Sequence, residues 1–138
     1  MKIKRVEHIA IAVDSIQQSL GLMRDTFGLE LEYEEQIGQT RLAMLPVGET
    51  YIELLEGQGP ESGVTKWIND KGTGLFHICF EVENIEEAIA ELKAMGHHVE
   101  VLPGWGSLGH MQTIRIDQKT GAITAGGDPR RTGYAMGY

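Results

Sequence analysis

Val6-Glu7-His8-Ile9-Ala10-Ile11-Ala12-Val13 returns, about half a chain later, as Leu75-Phe76-His77-Ile78-Cys79-Phe80-Glu81-Val82. One histidine sits at the same place in each copy. Both runs alternate with the period of a strand, so Ile9, Ile11 and Val13 share one face while His8, Ala10 and Ala12 share the other. In the second copy Ile78, Phe80 and Val82 oppose His77, Cys79 and Glu81. Each strand thus pairs a greasy face with a face that carries a histidine.

The duplication extends outward from these strands. After the first, Ser15 with Gln18 three residues on makes a capping-box pattern, and Ile16, Leu20, Met23 and Phe27 form a helical apolar stripe that Gly28 stops. After the second, Asn84 with Glu87 repeats the cap, Ile85, Ala88, Ile89 and Leu92 repeat the stripe, and Gly96 stops it. Aligned in order, Asp14 falls on Glu83, Ser15 on Asn84, Ile16 on Ile85, Leu20 on Ile89, Met23 on Leu92 and Gly28 on Gly96. An ordered series of this kind marks a repeated unit.

In the first half, strands are predicted at 29–33, 41–46 and 50–56, giving β-α-β-β-β. Residues 57–74 are rich in Gly, Pro and Ser apart from a short amphipathic piece, Val64 to Asn69, and read as a linker. The second half restarts the order with a helix over 85–95 and strands over 97–102, 111–117 and 122–125. The predicted fold is α+β, two β-α-β-β-β modules joined into one curved sheet whose uncovered face is a cup. Module one is 1–56, module two 75–126 and a C-terminal extension 127–138, all within a single domain.

A chain of 138 residues that is 41% apolar and 23% charged can bury an ordinary core. A net charge of −8 argues against nucleic-acid binding. The single cysteine, Cys79, excludes an internal disulfide and reads as a small core filler. No membrane span and no signal peptide are read, so the expected location is the cytoplasm.

His8 and His77 would line the cup. In the strand over 50–56, alternation sends Ile52 and Leu54 toward the helix and Tyr51, Glu53 and Leu55 toward the cup. Two imidazoles and a carboxylate from separate strands suit a divalent metal that keeps positions open for substrate. A plainer reading stands beside it, with hydrogen-bonded structural histidines and Glu53 on a solvated sheet face. His97, His98 and His110 read as surface or loop residues.

The segments VEHIAIAV, LMRDTFGLELEYEEQ, AMLPVGETYIELLEG and GLFHICFEVENIEEAIAELKAMG resemble the methylmalonyl-CoA epimerase family of the vicinal oxygen chelate superfamily, which also includes glyoxalase I and ring-cleaving dioxygenases. The resemblance covers about the first two thirds of the chain. It implies a glyoxalase-like fold, metal ligands at His8, Glu53 and His77, and cobalt or manganese as the metal, with zinc or nickel as alternatives. It also implies an acyl-CoA substrate whose C2 proton is removed to form an enolate, the charge being neutralised by a Lewis acid, with an acid/base on each face. The family's last-strand carboxylate has no counterpart in register, because Ala125 stands in its place; Asp128 and His110 are out-of-register substitutes. A third-strand acid/base of the family falls near Arg41 and does not carry over.

From about Gly96 onward, GHHVEVLPGWGSLGHMQTIRID and TGAITAGGDPRRTGYAMGY resemble the C-terminal end of γ-glutamyltranspeptidase, whose nucleophile and oxyanion-hole segments are absent. The chain therefore resembles a chimera, natural or constructed, joined in the helix over 85–95. The first expectation for function is a metal-dependent methylmalonyl-CoA epimerase, impaired by loss of the last-strand carboxylate. The alternatives are a glyoxalase-type isomerase or lyase, and a non-catalytic small-molecule binding or engineered chimeric domain. A homodimer is expected from exposed module edges.

Overall fold

A computed structural model describes residues 1–101, 112–116 and 123–127. The chain forms two compact units, Met1–His97 and His98–Tyr138. The first unit is α+β and runs β1 (Ile3–Ala12), α1 (Ile16–Phe27), β2 (Tyr33–Ile37), β3 (Thr40–Val47), β4 (Thr50–Gly57), α2 (Gly63–Lys71), β5 (Gly74–Val82) and α3 (Ile85–Ala94). Its five strands form one mixed sheet in the order β2-β3-β4-β1-β5, parallel between β1 and β4 and antiparallel elsewhere. In the second unit β6 (Gln112–Ile116) pairs antiparallel with β7 (Ile123–Gly127). Among the described residues, no helix is long and apolar enough to cross a membrane.

The caps predicted from sequence are the ones that form. Ser15 Oγ accepts the Gln18 N–H at 3.3 Å, and Gly28 ends α1 at a left-handed φ of 68° that glycine adopts without cost. Glu56 at the end of β4 adds a carboxylate to the same helix start, accepting the Ile16 N–H at 2.7 Å, where the exposed amides favour negative charge. Asn84 Oδ1 takes the N–H groups of Glu86 and Glu87.

Strand alternation divides the core into two layers. On the α1 side, Val13, Ile16, Ala43, Leu45 and Leu54 are buried together with Leu20, Met23 and Ile52 packed against them. On the opposite side, Ala10, Ala12, Leu42, Met44, Leu55 and Val64 are buried, with Tyr51, Trp67, Ile68 and Phe76 against them. Val64, Trp67 and Ile68 all belong to α2. The segment read as a linker therefore contains a nine-residue helix that roofs part of the sheet face expected to be bare. Its apolar residues at i, i+3 and i+4 are the stripe a sheet-packed helix needs.

Two strand positions differ from the sequence reading. The strand expected at 29–33 begins instead at Tyr33, since Leu29 packs against α1 and the Val13 layer. The strand expected over 97–102 does not form in 97–101.

Three irregularities interrupt the β1–β5 ladder. Pairing steps from Ile3↔Val82 to Arg5↔Glu81 and from Val6↔Phe80 to His8↔Cys79, each time with one extra residue on β1. It then steps from Ala10↔His77 to Ile11↔Leu75, with the extra residue on β5. An extra residue breaks strict alternation and lets neighbouring side chains reach one face. At the first irregularity both Lys4 and Arg5 bond Glu81, the Arg5 Nε–H donating at 2.7 Å, and these bonds hold the Glu81 carboxyl below its usual range.

Candidate metal centre

The repeated histidines lie on adjacent strands of the sheet. His8 of β1 pairs with Cys79, Ala10 pairs with both His77 of β5 and Glu53 of β4, and the three side chains project to the α2 side. His8 Nε2 is 2.8 Å from His77 Nε2, and Glu53 Oε2 is 3.4 Å from the first and 3.7 Å from the second. The imidazole planes are inclined by 68° with their centroids 5.0 Å apart.

These separations bracket those of donors around a single coordinated ion. Donor atoms bound at about 2.1 Å lie about 3.0 Å apart across a right angle and about 3.4 Å apart across a tetrahedral one. Neutral imidazoles with one carboxylate make a donor set suited to zinc, cobalt, nickel or manganese.

Electrostatics point the same way. Burial pushes the Glu53 carboxyl up, His8 pulls it back and Glu7 adds to the rise, so the ionised form is compensated only in part where it sits. Burial, then His8, pushes His77 down toward the neutral ring that can bind a metal. The His77 side chain is 40% exposed against 14% for His8 and 9% for Glu53, so the trio opens on the His77 side. The wall beside it is aromatic, Phe76 lying 5.5 Å from His77 and 5.4 Å from Trp67 of α2, centroid to centroid.

A second group, Glu7, His8 and Cys79, brings its donor atoms within 4.8 Å of one another. Burial, Glu7 and Glu53 all push the Cys79 thiol up, and this group shares His8 with the first. The three residues singled out in the sequence thus come together, and neither Glu81 nor Glu34 joins them. Glu81 bonds Lys4 and Arg5, and Glu34 accepts from Arg41 at 2.9 Å. Asp128 and His110, the substitutes for a last-strand carboxylate, lie outside the described residues, as does most of the transpeptidase-like tail.

Sequence reasoning overlooked Glu7, Phe76 and Trp67. Alternation places Glu7 opposite His8 and Phe76 opposite His77, and only the ladder irregularities undo it. The duplication carried a signal, since Glu7 and Phe76 occupy equivalent positions before the two histidines.

Comparison with known proteins adds a relationship to this geometry. Residues 7–113 match the family described as the glyoxalase/bleomycin resistance protein/dioxygenase superfamily. An ethylmalonyl-CoA/methylmalonyl-CoA epimerase of Cereibacter sphaeroides is 34% identical over 101 residues, 70% of this chain and 75% of that protein. Mouse mitochondrial methylmalonyl-CoA epimerase is 30% identical over 95 residues, 67% of this chain and 53% of its own length. The chain thus spans about half the length of the mammalian relatives it matches. A variant of the Streptomyces coelicolor methylmalonyl-CoA epimerase, solved with 2-nitronate-propionyl-CoA, superposes with a TM-score of 0.70 at 30% identity, covering 82% of this chain and 85% of that one.

Proposed function

The chain belongs to the glyoxalase/bleomycin resistance protein/dioxygenase superfamily, and from that premise we propose that it is a metal-dependent epimerase acting on methylmalonyl-CoA. The observation that carries this reading is the convergence of His8, Glu53 and His77, from three strands, on one point. His8 and His77 would offer Nε2 lone pairs and Glu53 a carboxylate oxygen to a divalent ion, cobalt or manganese first. Such an ion supplies positive charge for the thioester and carboxylate oxygens as the proton between them leaves.

The chain's own residues set the rest. The opening on the His77 side leaves the way in for an acyl group, with the Trp67–Phe76 pair as an aromatic wall beside it. Ala125 stands where the family's last-strand carboxylate is expected and Arg41 near its third-strand acid/base, so neither proton transfer has the family's base. Loss of one positioned acid/base costs about 10²–10⁴-fold, and turnover is expected to be slow by at least that factor. The same substitution favours a second reading, a cup that binds a small acyl-CoA without turning it over. A cytoplasmic homodimer completes the proposal, β2 and β5 being the edge strands of the first unit's sheet.

The test is to add cobalt or manganese to chelator-treated protein and follow deuterium exchange at C2 of methylmalonyl-CoA. The proposal expects one ion per chain and slow exchange, both lost in Glu53→Gln. Ion binding without exchange would select the binding module, and failure to take up either ion would end the epimerase reading.

A further inference from the structure

Resting on the metal-site reading above, we infer that Glu7 is a positioning residue for His8, its carboxylate taking the Nδ1–H so that the Nε2 lone pair is fixed toward His77 and Glu53. The duplicated strands carry equivalent residues ahead of the two histidines, and each is brought to the site face by a ladder irregularity. They are put to different use. Phe76 lays its ring beside His77, whereas Glu7 Oε2 accepts the hydrogen bond from His8 Nδ1.

The main chain at Glu7 is itself held, because the Thr50 hydroxyl of β4 donates to the Glu7 carbonyl at 3.1 Å. The carboxylate therefore hangs from a fixed point beside a ring whose side chain is only 14% exposed. A neutral imidazole carries one ring proton, and a carboxylate at Nδ1 decides that the proton resides there. Nε2 is then left as the lone-pair atom, 2.8 Å from the corresponding atom of His77 and 3.4 Å from Glu53. Carboxylates placed behind a ligating histidine in this way orient the ring and raise its basicity, and their loss weakens metal binding about 10–100-fold. Of the two histidines, His8 is therefore the prearranged ligand, and His77, more exposed and flanked by an aromatic ring, is the one that adjusts.

The test reads the ring directly. Long-range proton–nitrogen correlation spectra of chelator-treated, ¹⁵N-histidine-labelled protein, at mildly alkaline pH, should show His8 as the Nδ1–H tautomer. Glu7→Ala should give a tautomer mixture and bind cobalt about 10–100-fold more weakly, while Glu7→Gln, whose amide oxygen still accepts from Nδ1–H, should keep the tautomer. The assignment is overturned if wild-type His8 carries its proton on Nε2, a result that needs no variant to fold. It is equally overturned if Glu7→Ala changes neither tautomer nor cobalt affinity, or if it alters the cobalt absorption spectrum as loss of a ligand would. A wild-type protein with the Nδ1–H tautomer that takes up no cobalt would remove the metal reading and leave the role of Glu7 on the ring standing.

Discussion

Glu53 is the residue at which stability and the proposed chemistry pull apart. The residue is 7% exposed with two imidazoles beside its carboxylate, one of them held toward neutrality by burial. Without a metal, the ionised form is disfavoured in the fold. Glu53→Gln keeps the shape and removes the charge. Thermal or urea unfolding of the metal-free protein at neutral pH should therefore show the variant more stable than wild type, by about 0.5–2 kcal/mol, the usual yield of relieving a functional site. A less stable variant would mean that the carboxylate is already compensated and that the site has no need of an ion. Sequence reading found this residue because alternation in β4 is unbroken, Ile52 and Leu54 packing with α1 and Tyr51 and Leu55 with α2. It overlooked Glu7 for the opposite reason, since an extra residue in a ladder depends on the partner strand as much as on the strand itself.

At the scale of elements, α2 is the piece that closes the site face, and its seat depends on Gly57 at the end of β4. A β-carbon there would lie 2.6 Å from the Thr65 amide nitrogen and 2.9 Å from Ser62 Oγ, and would also run into the Thr65 hydroxyl. The first of these atoms is backbone and cannot swing aside, so the helix start must shift. Gly57→Ala is expected to cost about 1–3 kcal/mol, as overpacking does. Because α2 carries Trp67 against Phe76, its ring current on Phe76 should change in parallel. Unchanged unfolding and unchanged aromatic shifts would show that α2 is seated by other contacts. The helix itself was visible in the sequence as a short amphipathic piece, but Gly and Pro around it made the stretch read as a connector. Its apolar stripe had no visible destination until Leu42, Met44 and Leu55 were assembled beneath it.

At the scale of the molecule, the three donors tie β1, β4 and β5 together, strands separated by as much as 69 residues between the two histidines. An ion bound by all three should stabilise the folded chain over the unfolded one, by about 2.7 kcal/mol at a hundredfold excess over its dissociation constant. Thermal melts with and without cobalt should show an upward shift in wild type and none in His8→Ala; equal shifts in both would place the ion elsewhere. The repeated strand–helix start of each half, the caps at Ser15 and Asn84 and the choice of His8, Glu53 and His77 were legible in the chain alone, because strand period, helix capping and repetition are local properties. The tertiary structure alone decided that α2 covers one sheet face, that the strand after Leu29 begins late, and that Glu7 and Phe76 turn to the site side. Each of these follows from how one segment's side chains and hydrogen bonds fit another distant in sequence, and no local pattern encodes that fit.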